Sequence, residues 1–287
     1  MDAAEVTLPG GWPGKGGWHR AAVVRPATGR EEAFLVERGG SLLPATRATE
    51  LLSRCVRRLG SRRATPEAVR SLGVGDREAL MLHLRRLTFG DRISCTLRCP
   101  GDECDEPMDL ELDVGELLLP PYPHQRAIHQ ATVEASEGSY RVRFRLPTGA
   151  DLEAAAPLAG AGDAAVNLLL ERCVGEVVEQ SSGRPVSALP PAVAQALPEK
   201  MAQLDPQAEI LLDLTCPACG AAFIVPFDAA DYFYRELCGD RLGLYRQVHL
   251  LAFHYHWSEA GILRLTPGKR RVYLELLADG LGGSESW

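Results

Sequence analysis

The 287-residue sequence predicts an α+β fold: two cysteine-tipped β-hairpins split by a long insertion, with helices before and after them. Three observations carry that prediction. Alternating apolar runs flank Cys99 and Cys104, and again Cys216 and Cys219, which is the patterning of hairpin strands. Helical periodicity dominates before residue 91 and after residue 228. Between the hairpins, over about 114–208, a further hairpin alternates with helical blocks. The chain thus divides into a mostly helical region (1–90), a split hairpin region with its insertion (91–228) and a helical C-terminal region (229–287).

Composition limits the function classes. Hydrophobic residues make up 46% and charged residues 24%, as in an ordinary globular protein. A formal charge of −7 argues against a general nucleic-acid binder, which needs a basic face. No run approaches the roughly 18 apolar residues of a membrane span. The opening MDAAEVTLPGGW has neither the basic start nor the apolar stretch of a signal peptide, so a cytoplasmic protein is expected. In a reducing compartment, closely spaced cysteines indicate metal or redox chemistry rather than disulfides.

Residues 1–20 are rich in Gly and Trp and predict an irregular entry, with a short strand at 21–24. Thr28 followed by Glu31 has capping-box spacing and starts a helix through FLVER. ATELLSRCVRRL predicts a second helix, with Cys55 on its apolar stripe. A third starts near Asp76 and runs to Gly90. RISCTLRC and PMDLELD form the first cysteine hairpin. ATVEAS and YRVRFRL form another, turning at Glu137-Gly138-Ser139. Helices follow at DAAVNLLLERCV and PAVAQALPEKMAQL, separated by a loop at 181–185. AEILLDLTC and AAFIVPFD form the second cysteine hairpin. The rest is helical, with Leu244, Val248, Leu251 and Tyr255 on one face and Thr266-Pro267 starting the last helix.

The two cysteine hairpins repeat one another. With Cys99 set against Cys216, Ile93, Cys95 and Leu97 match Ile210, Leu212 and Leu214. Both cysteines precede proline. With Cys104 set against Cys219, Met108, Leu110 and Leu112 match Phe223, Val225 and Phe227, and both runs end in aspartate. One tip supplies two thiolates, and a structural zinc takes four in a tetrahedron, so the two tips together complete a closed site. The reading is one structural zinc held by Cys99, Cys104, Cys216 and Cys219, in a zinc ribbon opened by the insertion. Two other readings stay open on spacing alone: a redox Cys-x-x-Cys pair, and cysteines with no joint role. Cys55, Cys95, Cys173 and Cys238 lie in apolar runs or at helix ends and read as structural thiols.

Several patterns imitate catalytic motifs without their context. Gly160-Ala161-Gly162-Asp163 has no apolar strand before it, so Asp163 reads as a helix cap. Gly14-Lys15 lacks the rest of a phosphate loop. His254 and His256 are two apart on an expected helix and face different ways. Neither H-E-x-x-H nor G-x-S-x-G occurs. The basic run Lys269-Arg270-Arg271 falls in a first helical turn and reads as a solvated face or a protein contact.

Three segments together resemble a known family. LPGGW with VRPATGREE resembles the opening of small proteins encoded with phage tails. LMLHLRRLTFGDRISCTLRCP, and LTCPACGAAFIVPFD followed by YRQVHLLAFHYHWSEAGILRLTPGKRRVYLELL, resemble the T4-type baseplate protein family. The resemblance implies a non-enzymatic structural or assembly role in the baseplate or hub of a phage tail or contractile injection particle. It implies other baseplate subunits as partners, and neither nucleic acid nor a small-molecule substrate. It carries over the four cysteines, with Trp257, Ile262, Leu263, Arg271 and Tyr273 as framework or contact residues. This chain departs from the family pattern at Gly101-Asp102-Glu103, which lengthens the first cysteine spacing. The rival functions are a zinc-ribbon nucleic-acid adaptor, against which the acidic RCPGDECDEPMD tip argues, and a thiol oxidoreductase. The aromatic-rich C-terminal helices are expected to dock on the ribbon and present a face to a neighbour.

Overall fold

The sheet at the N-terminus is larger than the sequence suggests. A computed structural model describes residues 3–14, 17–101, 104–123, 126–136, 138–240 and 242–281. Strands β1 (Ala4–Gly14) and β2 (Gly17–Val24) pair antiparallel, with a register shift between Thr7 and Trp12. That irregularity, in a Gly- and Pro-rich stretch, hides the alternation of β1 from a periodicity reading. Helix α1 (Gly29–Arg38) starts at the expected capping box. Helix α2 (Pro44–Cys55) stops sooner than expected, because Val56 pairs with Val24 and opens β3 (Val56–Leu59), followed by β4 (Arg62–Arg63). After α3 (Pro66–Arg70) comes α4 (Val74–Phe89), whose consecutive residues Ala79, Leu80, Met81 and Leu82 are all buried. A helix apolar on every side belongs at the centre, and Leu8, Leu35, Leu52 and Phe233 surround it in the main core. The first cysteine hairpin, β5 (Arg92–Arg98) and β6 (Pro107–Asp113), follows, then the single turn α5 (Val114–Leu117).

The residues read as an insertion build a second copy of this arrangement. Strands β7 (His129–Ala135) and β8 (Gly138–Phe144) form a hairpin; Glu137, in its expected turn, lies outside the described residues. Helices α6 (Gly149–Ala155) and α7 (Ala164–Cys173) lead into β9 (Val174–Glu179), then α8 (Pro191–Leu204), then the second cysteine hairpin, β10 (Ile210–Thr215) and β11 (Ala222–Phe227). The match extends to single hydrogen bonds. Arg25 N–H donates to the Cys55 carbonyl, and Arg145 N–H donates to the Cys173 carbonyl, both at 3.0 Å. The Arg25 guanidinium binds the Glu31 carboxylate and the Pro26 and Arg54 carbonyls. The Arg145 guanidinium binds the Asp151 carboxylate and the Leu146 and Arg172 carbonyls. In each turn a threonine, Thr28 or Thr148, donates its backbone N–H and its hydroxyl to that same acid.

Each turn is also clasped by the start of a helix from another part of the chain. Gly149 N–H, in the second turn, donates to the Leu72 carbonyl, and Gly29 N–H, in the first, donates to the Leu265 carbonyl. Beside each glycine lies a buried arginine: a Cβ on Gly149 would sit 2.5 Å from Arg77 Nη1, and one on Gly29 would sit 2.8 Å from Arg270 Nη1. Glycine lets the guanidinium lie close at both places, and at Gly29 the Leu263 backbone, 3.0 Å from such a Cβ, crowds the position as well. Arg77 and Arg270 begin equivalent helices, each preceded by a short helix capped by Thr65 or Ser258.

The C-terminal helices are α9 (Ala229–Cys238), α10 (Gly243–Tyr255), α11 (Glu259–Ile262) and α12 (Pro267–Gly280). They depart from the expected docking on the ribbon. Leu244, Val248, Leu251 and Ile262 close instead around Ala33 of α1. Only α9 is tied to a cysteine hairpin among the hydrogen bonds described, through Tyr232 Oη donating to the Ser94 carbonyl at 3.0 Å. The physical reason is the clasp: the apolar face that α10 and α11 bury against α1 adjoins the backbone bonds from Gly29 and Arg30 to Leu265 and Leu263.

Candidate metal centre

Each cysteine hairpin ends in a tight tip that turns two sulfurs the same way. In the first, Cys99 N–H donates to the Glu106 carbonyl and Cys104 N–H to the Gly101 carbonyl. In the second, Cys216 N–H donates to Ala221 and Gly220 N–H returns to Cys216. The residue after the second cysteine is left-handed in both tips, Asp105 at φ 42° and Gly220 at φ 74°. Aspartate tolerates that conformation better than most side chains, which is how a tip lacking the glycine still closes. Asp102 and Glu103, the expected departure in spacing, lie outside the described residues.

The structure brings all four expected ligands together. Their sulfurs lie within 4.8 Å of one another. Cys99 Sγ is 3.7 Å from Cys219 Sγ, and Cys104 Sγ is 3.8 Å from Cys216 Sγ. A tetrahedron with Zn–S bonds of about 2.3 Å has edges of about 3.8 Å, so the cage fits that ion. Met108 and Phe223 pack around the sulfurs; Cys99 and Cys216 are buried, while Cys219 is exposed. The Cys219 N–H draws the Cys216 thiol down to about 7. The Gly101 N–H acts likewise on Cys99, but desolvation and the neighbouring sulfurs outweigh it and hold that thiol up at about 12. A cation among the four sulfurs would favour their thiolate forms, so the cluster is compatible with one metal ion. With four sulfurs in the shell, no position is left for a reacting water.

The other cysteines stand apart from this cage. Cys95 faces Leu110 across the first hairpin. Burial pushes the Cys55 thiol up to about 12 and the Cys173 thiol up to about 11, as for inert core residues. Cys216-Pro217-Ala218-Cys219 sits in a hairpin turn rather than at a helix start, the setting of thioredoxin-like pairs. His256 is not on the helix of His254; it is the left-handed cap after Tyr255. Asp163 stands at the N-cap of α7 as expected, with no side-chain capping bond. Lys15 lies outside the described residues.

Sequence reasoning missed the buried polar joints. Arg271, carried over from the resemblance, is exposed; the buried guanidinium is its neighbour Arg270, which pairs with Glu32 and donates from Nε to Gln247 Oε1. Trp257, Leu263 and Tyr273 pack with buried Ile262 in the apolar cluster of the C-terminal helices. Asp76 accepts N–H bonds from Gly10 and Gly11, and Asp205 accepts from Gly75 N–H and Tyr122 Oη. Burial pushes Asp76 up to about 7, against those N–H bonds. The spacing that could have exposed Arg270 is its match to Arg77, each five residues after the leucine that accepts from a turn glycine.

A cleft of about 950 Å³ lies between α9, α10 and α12. Three of its acids are paired, Glu32 with Arg270, Glu236 with Arg85 and Asp240 with Arg246, and Glu275 lines it as well. Among the described residues no helix is long and apolar enough to cross a membrane.

Comparison with known proteins gives one match. No curated protein and no solved structure matches the chain. The family model that does match covers residues 22–234, from β2 through both arginine turns and both cysteine pairs into α9. On that match, over most of its length, the chain belongs to the T4 bacteriophage base plate protein family.

Proposed function

We propose that the chain is a non-enzymatic structural or assembly subunit of the baseplate or hub of a phage-tail-like contractile injection particle, stabilised by one structural zinc. The cysteine cage supports this most directly. Its ligands come two from each repeated unit, so a metal there ties the halves of one molecule together instead of activating a substrate. Zinc bound by Cys99, Cys104, Cys216 and Cys219 would supply a fourfold cross-link and neutralise the thiolates. The partners are other baseplate or hub subunits met in the cytoplasm, within the particle or during its assembly. Neither nucleic acid nor a small-molecule substrate is part of this reading.

Elemental analysis of the chain purified without added metal should give about one zinc per chain. Cys216→Ser should lose it and melt at a markedly lower temperature, since structural zinc contributes on the order of 10 kcal/mol in small modules. Cys95→Ala should keep it. Full zinc and unchanged melting in Cys216→Ser would remove the metal from the account. Quantitative mass spectrometry of purified particles tests the rest. A fixed ratio of this chain marks a permanent subunit. Its absence from particles that cannot form without it marks an assembly factor. Normal particles from a deletion strain refute both.

A further inference from the structure

The outward faces of the two cysteine hairpins have diverged, although both inward faces stay apolar and both tips keep two cysteines. On β5 and β6 the outer face carries Arg92, Ser94, Thr96 and Arg98 opposite Asp113, Glu111, Asp109 and Pro107. Bases and acids face each other there, with Arg92 across from Asp113. Thr96 Oγ1 donates to Asp109 at 2.8 Å, and Arg98 pairs with Asp105. This face mixes two arginines among its acids.

The equivalent face of β10 and β11 does not. Leu211 lies opposite Pro226, and Asp213 opposite Ile224. Leu211 is 53% exposed and Ile224 63%, two large aliphatic side chains on adjacent rungs of one ribbon. Where the first hairpin has Arg92 and Arg98, the second has Glu209 and Thr215. The acids Glu209, Asp213 and Asp228 all surround the apolar pair. Among the described residues none of these three is in an ion pair, although Asp228 caps α9. The sulfur cage anchors this ribbon at its tip, and Ile210 and Phe227 anchor it in the main core.

We propose that the outer face of β10–β11 is a docking surface for a neighbouring protein subunit that presents a small apolar ridge flanked by lysine or arginine. The apolar centre and the charged rim have the arrangement of an interface core and its surround. The uncompensated acids select a basic partner and disfavour two other occupants. A second copy of this chain would bring acid against acid across a two-fold axis, and a nucleic-acid backbone would be repelled. The identity of the neighbour as a baseplate subunit rests on the function proposed above; the surface itself does not.

The test places a photo-cross-linking amino acid at position 224, and separately at the matching position 109, in the full chain inside producing cells. Position 224 should cross-link to one protein, at a peptide with Lys or Arg beside an apolar residue, in at least tenfold greater yield than position 109. Asp213→Lys in the 224 background should lower that yield about tenfold, with zinc content and melting unchanged. Equal yields at the two positions, no product at 224, an acidic target peptide, or a product with a second copy of this chain would each overturn the proposal. Wild-type recovery in purified particles is scored in parallel. Its failure beside a strong, basic, Asp213-dependent cross-link would sink the baseplate reading and leave the docking surface standing.

Discussion

The Arg25 and Arg145 guanidinium groups have the same hydrogen-bond partners by position, yet their turns are held by different surroundings. The Glu31 side chain, 4% exposed, has Arg25 as its cation, whereas Asp151, 1% exposed, has Arg145 and Arg172 together. The clasping helices differ in the same way. Arg270 meets a buried acid, Glu32; Arg77 is held by the neutral oxygens of Val69, Ala45 and Thr49. Duplication has preserved the geometry of each joint while the electrostatic load on it has changed. Joints of equal shape should therefore fail at unequal cost.

The clasp should show the largest difference. Arg270→Met leaves the Glu32 carboxylate in the interior without its cation, a change that costs about 3–5 kcal/mol. Arg77→Met removes a cation that is itself poorly solvated, its pKa lowered by burial, and orphans only neutral acceptors. About 1–3 kcal/mol is expected there. Urea unfolding of the two variants checks the order, and equal losses would mean that the clasps are not electrostatically distinct.

The same helix starts differ in pH response. Where the second clasp carries exposed Lys269, the first carries buried Asp76. Burial raises Asp76 to about 7, so the folded chain keeps a proton that the unfolded chain releases near pH 4. Stability from this group is complete below pH 4 and is lost as pH rises toward 7, by up to roughly 4 kcal/mol. Glu78, raised to about 8 by burial, acts in the same direction. Asp151 has the opposite sign. Burial would raise its pKa, but Arg145, Thr148 and Arg172 together hold it far below the ordinary range, so its contribution is present above pH 4 and fades in stronger acid. Asp76→Asn should flatten the fall in stability between pH 4.5 and 7.5 that wild type shows in urea titrations. An unchanged slope would assign the effect to other groups.

How much of this was legible in the sequence depends on distance along the chain. The cysteine hairpins, the Thr28 capping box and α4 are set by residues within a turn or a strand of each other, and periodicity finds them. Strands β3 and β9 are not. Each follows a helix with no intervening loop, at Arg54-Cys55-Val56 and Arg172-Cys173-Val174, and becomes a strand because β2 or β8 lies alongside. The larger repeat was present in Arg-x-x-Thr-Gly-x-Asp/Glu, at 25–31 and 145–151. Its signal is thin, since the helices between the shared residues keep their burial but not their identities. The sulfur cage was legible because its cysteines recur in pairs at the tips of two matching hairpins; the clasping arginines were not, because a buried guanidinium looks like any surface arginine in sequence.

The turns themselves should differ less than the clasps. Arg25→Ala leaves Glu31 with the Thr28 donors alone and should cost about 3 kcal/mol. Arg145→Ala leaves Arg172 on Asp151, at 2.8 Å, and should cost about 1 kcal/mol. Adding Arg172→Ala to Arg145→Ala should bring the second turn up to the first, which is a non-additive result for neighbouring groups sharing one partner. Simple additivity of the two single losses would show that Arg172 carries no share of Asp151.

The smallest expected effect is also the strictest test of equivalence. Thr28 and Thr148 each donate a hydroxyl to the acid three residues on, both at 2.8 Å, and each keeps a backbone N–H bond to it, at 3.0 and 2.9 Å. Replacing either threonine by alanine removes the hydroxyl's bond to the acid, and at Thr28 also the acceptor of the Arg30 N–H, but leaves the backbone N–H bond to the acid in place, so each should cost about 1 kcal/mol, the usual magnitude for a lost cap. The two losses should agree within a few tenths of a kcal/mol, because the donor, the acceptor and the turn are shared and the arginines that distinguish the sites are untouched. Thr→Ser at either place keeps the hydroxyl and should recover most of the loss. A hydroxyl bond weighs more where its acid has less other support, and Glu31 has one cation where Asp151 has two. If Thr28→Ala cost several times more than Thr148→Ala, the electrostatic difference between the units would reach into the turn itself, and their joints could no longer be treated as one structure under two loads.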